Sequence, residues 1–486
     1  MWSDRKAVTA MLASTFAFLV CFACWTLNGV LVTWLVENQV FKLDKAQIGW
    51  LLGVPVLTGS VVRLPLGALT DRYGGRIVFT LLLLTAAVPM YAVSHADSYA
   101  DFLLASFGFG LAGGGFAVGI AYTSVWFKQE HQGTALGIFG AGNAGAALTS
   151  IGGPQLLQSL THGAEQVERW RLMPRIYAAA LVVTAVLFYL ATTTRRAEAA
   201  SAKTIVQQLA PLRYLRVWRF GLYYFFVFGG FVALAQWLIP YYVSVYAMPV
   251  ATAGLLASTF SLPSGVIRAL GGWISDRFGA RKTMYWILSV SVFALAALLF
   301  PRMEIVSPGE GVMSARAGVV SSVSQSEIVV QDQRYALITR SGKLPAETAE
   351  GVVVWPKSTS WQEPVVAVGE EVKKKQLLAR GITNIFFQAN VWIFTFLVMV
   401  IGVTTGIGKA AVYKHIPTYY PQNVGVVGGI VGVIGGLGGF FLPILFGTIL
   451  KGTGLWTTCW LVLLVLCVIC LVWMHAVIMR EAQDRT

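Results

Sequence analysis

Apolar residues in this chain come in long unbroken runs that stop at a short polar segment and then resume. About 20 such residues in helical form cross roughly 30 Å of hydrocarbon. Runs of that kind stand near residues 8 to 36, 46 to 70, 76 to 94, 101 to 125, 133 to 160, 174 to 194, 219 to 246, 252 to 273, 283 to 301, 387 to 412, 424 to 449 and 455 to 478. The pattern predicts an all-α membrane protein with twelve transmembrane helices. Only Arg5 and Lys6 precede the first run, Trp25 and Asn28 lie inside it, and no small-residue cleavage site follows. It reads as a retained helix, not a removed signal.

Composition agrees: of 486 residues, 56% are hydrophobic and 12% charged, with a mean hydropathy of +0.68, far from the balance of a soluble domain. The net charge of +14 does not point to nucleic acid, because the basic residues sit in short loops between apolar runs. Arg72, Arg76, Arg195, Arg196, Lys203, Arg213, Arg216, Arg219, Arg277, Arg281 and Lys282 fall on one side of the twelve-span order. The positive-inside bias makes that side cytoplasmic and puts both termini there, in a multi-pass protein of a bacterial inner membrane. The segment 166 to 175, with Arg169, Arg171 and Arg175, runs against this bias. Cys21, Cys24, Cys459, Cys467 and Cys470 all lie in spans and read as small packing residues. Cys21 and Cys24 form a C-x-x-C with no further ligands at metal spacing, so neither a metal nor any other cofactor is expected.

The chain repeats itself. Laying 61 to 76 (VVRLPLGALTDRYGGR) over 266 to 281 (VIRALGGWISDRFGAR) at an offset of 205 aligns Arg63 with Arg268, Gly67 with Gly272, Asp71 with Asp276, Arg72 with Arg277, Gly74 with Gly279 and Arg76 with Arg281. A second set, Gly110, Gly114, Gly133, Gly137 and Gly140, overlays Gly402, Gly406, Gly425, Gly429 and Gly432 at 292. Two pseudo-symmetric six-helix bundles follow, and the difference, 292 minus 205 or 87 residues, measures an insertion in the second. The expected division is 1 to 200 for the first bundle, 201 to 301 for helices 7 to 9, 302 to 384 for the insert and 385 to 486 for helices 10 to 12.

Arg63 and Arg268 stand within apolar runs, two turns before the polar loop. An intramembrane arginine costs a few kcal/mol unless paired or facing a polar cavity, so it marks a substrate path by default. The spans hold almost no acid to pair with them: Glu37 ends the first and Asp101 begins the fourth. Two guanidinium forks related by the repeat face one cavity and suit the oxygens of an anion.

The segment GxLxDRxGGR at 67 to 76, echoed at 272 to 281, resembles the loop signature of the major facilitator superfamily. There a carboxylate, Asp71 or Asp276, with Arg72, Arg76, Arg277 and Arg281 can latch the cytoplasmic face during gating, and the glycines, Gly67 and Gly272 among them, allow tight turns. GGGFAVGIAYTSVWFKQEHQGTALGIFGAGNAGAA at 113 to 147 is similar to the signature of the nitrate/nitrite porter family, and GVVGGIVGVIGGLGGFFLP at 425 to 443 looks like its counterpart. The resemblance covers all but the insert. It implies that Arg63 and Arg268 clamp nitrate or nitrite, that Asn143 donates hydrogen bonds near the anion, and that Phe116 stacks beside it. It also implies that the glycine runs within 140 to 145 and 435 to 439 let helices slide closely, and that Gly142 and Gly435 belong to the substrate-binding site. Two departures stand out: Lys128 follows Trp126 and Phe127 where the family has proline, and Leu234 occupies the place of a substrate-contacting tyrosine in one branch.

The family includes nitrate/nitrite exchangers and nitrate/proton symporters. His131 and His415 are expected in cytoplasmic loops and Lys409 near the cytoplasmic end of the tenth span, leaving no titratable group in the path. Two fixed cations without a counter-charge then favour exchange over symport, because an empty site reorients slowly. A nitrate receptor on the transporter fold is the rival from another class. No enzyme motif occurs in a fitting context.

The insert carries ten Lys or Arg against nine Asp or Glu. Its runs GVVSSV (318 to 323), SEIVVQ (326 to 331), RYALITR (334 to 340) and GVVVWP (351 to 356) predict a small β-rich domain. The stretch 364 to 381 resembles the closing hairpin of biotinyl and lipoyl domains but has no Met-Lys acceptor pair. Alternation of the spans puts the insert in the periplasm, as a cap or partner-docking module on a monomeric carrier.

Overall fold

A computed structural model describes residues 4–127, 129–162, 165–195, 210–300, 303–340, 342, 356–420 and 424–483. It divides into two compact units, one of residues 1–299 with 395–486 and one of 300–394.

The first unit is helical. In chain order we label its elements α1 (Arg5–Glu37), α2 (Lys45–Tyr73), α3 (Gly75–His95), α4 (Tyr99–Ser124), α5 (Gln129–Gly140 and Gly145–Leu160), α6 (Val167–Ala191), α7 (Leu215–Tyr246), α8 (Val250–Val266 and Arg268–Phe278), α9 (Ala280–Ala297), α10 (Val391–Tyr419), α11 (Val424–Thr453) and α12 (Thr458–Gln483). Among the described residues nine of these are long and apolar enough to span a membrane, or ten when the bent α8 counts as one. Arg281 and Lys282 at the start of α9 lower its apolarity below that of the other spans. Local chemistry sets the ends. Asp44 with Gln47, and Ser98 with Asp101, form capping boxes that open α2 and α4. Gly74 and Gly279, both at φ of +86°, turn the chain from α2 into α3 and from α8 into α9.

The internal repeat is legible in the packing. A side chain at Gly110 of α4 would meet the Pro55 carbonyl of α2, and one at Gly402 of α10 would meet the Phe260 carbonyl of α8. Gly114 faces Val62 and Leu66, while Gly406 faces Ile267 and Ser264. Glycines 292 apart thus press on partners 205 apart, the two offsets of the repeat.

Among the described residues, small residues bring the halves together at three helix pairs. Gly29 of α1 lies against Gln236 of α7, where an added Cβ would be 2.9 Å from its Cα. Gly53 of α2 abuts the Phe440 carbonyl of α11 at 2.6 Å, and Gly265 of α8 abuts the Ala144 nitrogen of α5 at 2.9 Å. The α2–α11 and α5–α8 contacts are one contact repeated in the two halves. At the Asp44 end of the α2–α11 contact, Lys451 Nζ donates to Asp44 Oδ2 at 2.8 Å.

Three expectations are corrected. His415 lies within α10, not in a loop: it is buried with its ring stacked 5.4 Å from Phe220. His131 falls in the helical segment Gln129–Gly140. Lys409 is not at the edge of its span; it is wholly buried. α10 runs 29 residues to Tyr419, past the point where hydropathy falls, so a helix continues where the sequence suggested a loop.

Among the described residues the second unit holds seven strands: β1 (Met303–Met313), β2 (Gly318–Val323), β3 (Glu327–Val330), β4 (Gln333–Ala336), β5 (Lys357–Pro364), β6 (Glu371–Val372) and β7 (Leu377–Phe387). One sheet has the order β1-β7-β5 and the other β4-β3-β2-β6. The β1–β7 pair is antiparallel from Met303 opposite Phe387 to Gly309 opposite Gly381. Val320, Ile328, Val330, Leu337, Val366, Val372, Leu378 and Ala379 form its core. Strand β4 ends at Ala336, short of the run read to 340, and the run at 351 to 356 lies outside the described residues but for Pro356.

Candidate functional site

Helical regularity fails at one level of the first unit. α2 and α8 each break for a single residue, Val62 and Ile267, and the next residue in each is an arginine, Arg63 and Arg268. At the same level the chain forms 3₁₀ turns at Gly110–Gly114 and Ala141–Ala144 and a π turn at Phe225–Gly229. Such irregularities in buried helices re-aim side chains and free backbone groups, and they concentrate at binding sites.

Arg63 is 5% exposed. Its Nη1 donates to the Gly432 carbonyl of α11 at 2.9 Å. Arg268 is half-buried, and its Cδ lies 3.2 Å from where a side chain at Gly140 of α5 would begin. Gly140 and Gly432 are themselves related by the 292 offset. Each arginine therefore faces the symmetry-equivalent glycine of the opposite half: a side chain at Gly140 would crowd Arg268, and one at Gly432 would meet the Tyr413 hydroxyl beside the Arg63 contact.

Phe116 of α4 joins the two. Its ring centroid is 5.1 Å from the Arg63 guanidinium carbon and 5.4 Å from that of Arg268. Arg63 also lies over Phe228 at 5.1 Å and Trp25 at 5.7 Å, and Arg268 over Tyr413 at 5.8 Å. Tyr224 stacks on Phe228 with centroids 5.0 Å apart and meets Tyr413 edge-on at 4.9 Å. Aromatic faces attract cations, but they add no compensating charge. The acids in the described helices sit at or near helix ends: Glu37, Asp71, Asp101, Glu130, Glu168, Asp276 and Glu481. Arg63 Nε and Arg268 Nη1 are buried without a hydrogen-bond partner among the described residues. So are the Ser60 and Tyr224 hydroxyls, which can donate, while Asn143 Oδ1 is an unpaired acceptor. Unmet donors of this kind are costly, and an anion's oxygens match them.

The other predicted residues fall in different places. Asn143 is fully buried at the 3₁₀ turn beside Gly140, and its Nδ2 donates to the Gly140 carbonyl at 2.9 Å. Gly142 faces Phe18 and the Thr15 carbonyl of α1, and Gly435 faces the Tyr224 ring; both are packing positions one layer behind the guanidiniums. Sequence reasoning missed Phe228, Tyr224, Tyr413 and Trp25, since an aromatic in a span has no signature that separates a cavity from a core. Gly432 and Gly140 were visible as repeat partners, and the signal that could have paired them with the arginines was the shared symmetry.

At the loop signature, Asp276 pairs with Lys414 at 2.5 Å. Arg76 Nε donates to the Tyr189 carbonyl at 2.9 Å, and Arg281 donates to the Tyr419 hydroxyl. Arg72 lies over the Tyr73 ring at 5.3 Å, and Arg277 over Trp273 at 5.5 Å. Asp71 is exposed. Gly67 and Gly272 have open space around them and are helical; the positive φ belongs to Gly74 and Gly279.

At the opposite end, the Lys451 hydrogen bond, seconded by the Gln47 and Ala46 backbone, holds the Asp44 carboxyl below its ordinary value. A lowered folded pKa means that this contribution to closing α2 on α11 is present above the carboxylate's ordinary range, about pH 4, and is lost as pH falls through the lowered value. Asp44→Asn is expected to leave flux at pH 7 within about two-fold, because an exposed ion pair contributes little, and to remove any loss of stability confined to pH below about 4. Thermal unfolding of wild type and variant between pH 3 and 7 checks this.

The model for the Major Facilitator Superfamily matches residues 14–323. The chain is similar to the probable nitrate/nitrite antiporter NarK1 of Thermus thermophilus, 40% identical over 475 residues that cover 97% of this chain and 91% of the relative. The nitrite extrusion protein of Bacillus subtilis is 24% identical over 93% of this chain and 89% of its own. Among solved structures, a bacterial homologue of the human lysosomal transporter Spinster, inward-facing and occupied, superposes with a TM-score of 0.64 at 16% identity, covering 98% of this chain and 97% of that one. The nucleoside transporter NupG gives 0.60 at 12% identity, over 97% and 98%. At those identities the likeness is one of fold. The chain is a membrane transporter and not an enzyme, and it belongs to the major facilitator superfamily and, within it, to the nitrate/nitrite porter family.

Proposed function

We propose that this protein carries nitrate and nitrite across the bacterial inner membrane by alternating access, exchanging one anion for the other. The observation that supports the reading most is the arginine pair: two intramembrane guanidiniums, without a carboxylate among the described span interiors, sharing the Phe116 ring and facing equivalent glycines of opposite halves. A planar anion between the forks accepts from both. In this reading Arg63 and Arg268 bind it, Phe116 stacks beside it, Asn143 offers its amide, and Gly142 and Gly435 let neighbouring helices and the Tyr224 ring approach. The twelve helical elements act as twelve spans in two bundles, with both termini cytoplasmic. Gly67, Asp71, Arg72 and Arg76, with Gly272, Asp276, Arg277 and Arg281, gate the cytoplasmic side, and the insert stands in the periplasm as a cap or docking module on a monomer.

Exchange follows from charge. Without anion the site holds like charges that repel at low dielectric, so the empty carrier crosses slowly and the loaded one quickly. Nitrate/proton symport is the second reading, and buried Lys409 is the observation that favours it. Purified protein in proteoliposomes loaded with nitrite, nitrate or nothing decides: uptake of external nitrate is expected to be at least about ten-fold faster into anion-loaded vesicles. Equal uptake into empty vesicles under a proton gradient means symport. Binding without flux means a receptor.

A further inference from the structure

The arginine pair does not account for every buried cation. Lys409 of α10 is wholly buried. Its Nζ has no hydrogen-bond partner among the described residues and sits 3.5 Å from the Phe231 ring centroid of α7. An ammonium has three donors and is strongly hydrated in water, so contact with a π face replaces only part of what burial removes.

The position is not incidental. In the repeat, Phe116 corresponds to Gly408, so Lys409 occupies, in the second half, the turn that brings Phe116 to the arginines in the first. The Phe231 ring stacks on Phe22 of α1 with centroids 6.1 Å apart, Phe22 meets Trp25 at 5.4 Å, and Trp25 lies under Arg63. Phe231 also meets Phe260 of α8 at 5.6 Å. A continuous aromatic wall thus runs from Arg63 to Lys409, and Lys409 lies close enough to Arg268 for the two charges to interact. The charged group that acts on Lys409 is Arg268 on α8; the interiors of α1, α7 and α10 carry no Asp or Glu. Three unmatched cations along one wall are repelled by each other and stabilised by an anion.

Resting on the transport reading above, we propose that Lys409 is a third anion contact, a subsite next to the arginine pair that holds nitrate or nitrite on its way into or out of the clamp. Its role is that of a fixed positive charge with donors, not of a proton carrier.

The test is anion counterflow in proteoliposomes with wild type, Lys409→Met, Lys409→Gln and Lys409→Arg, each first shown monodisperse in detergent. The neutral variants are expected to raise KM for nitrate at least about ten-fold, the loss of one charge-assisted contact, with a smaller change in Vmax. Lys409→Arg is expected to recover KM to within about three-fold, because arginine keeps the charge and donors. A wild-type KM in Lys409→Met overturns the proposal. Failure of Lys409→Arg, with flux in Lys409→Gln that no longer depends on pH, overturns it in favour of a proton carrier, since arginine does not release its proton. If Arg63→Gln and Arg268→Gln also transport normally, the transport reading itself fails; if they lose flux while Lys409→Met does not, only the third contact does.

Discussion

Arg63→Lys and Arg268→Lys are each expected to lower nitrate flux by about 100-fold or more, equivalent to roughly 2.7 kcal/mol. Charge is conserved, so a long-range electrostatic role predicts little change. The geometry predicts a large one. Arg63 uses one fork nitrogen on the Gly432 carbonyl while keeping another unmet, and its flat face lies over Phe116 and Phe228. A lysine ammonium can take one of these contacts but not the fork and the stack together. It also carries a tighter hydration shell into a site that offers few acceptors. The larger effect belongs to Arg63, whose site is more enclosed than that of half-buried Arg268. Flux assays at matched protein density, with nitrate binding measured in detergent, separate a lost contact from a lost fold.

Gly435→Val is expected to lower flux by about ten-fold or more and to destabilise the protein by about 1–3 kcal/mol, the usual cost of overpacking a core. A side chain at this position would run into the Tyr224 ring. Tyr224 cannot retreat freely, because it is stacked on Phe228 and met edge-on by Tyr413. Phe228 lies under Arg63 and Tyr413 beside Arg268, so displacement of one ring disturbs both guanidiniums. Gly452, with open space around it on the same helix, is the control: Gly452→Ala is expected to leave flux unchanged and thermal stability within about 1 kcal/mol.

What the sequence disclosed follows from which signals survive burial. Apolar runs and the doubled DR-G motif located the helices and aligned their halves, because both are local. Arg63 and Arg268 stood out because charge in a span is rare. Tyr224, Phe228 and Tyr413 did not, since aromatics are common in spans and only the fold brings these three rings beside two arginines. Lys409 and His415 were misplaced for a related reason. Hydropathy falls near residue 412, yet α10 continues to Tyr419, and neighbouring helices bury the polar residues that a single-helix reading takes for a loop. In the insert, β1 carries Pro308, Gly309 and Gly311, residues that read as punctuation. It forms nonetheless because Gly309 lies opposite Gly381, where two backbones come too close for side chains.

In this carrier Arg63 and Arg268 are proposed to hold one anion between them. The most direct measurement is a double-mutant cycle of nitrate affinity with Arg63→Gln, Arg268→Gln and both together. Shared binding predicts strong non-additivity, the double variant binding nitrate no more than about three-fold more weakly than the worse single one. Losses that simply multiply would place the two arginines at separate sites and contradict it.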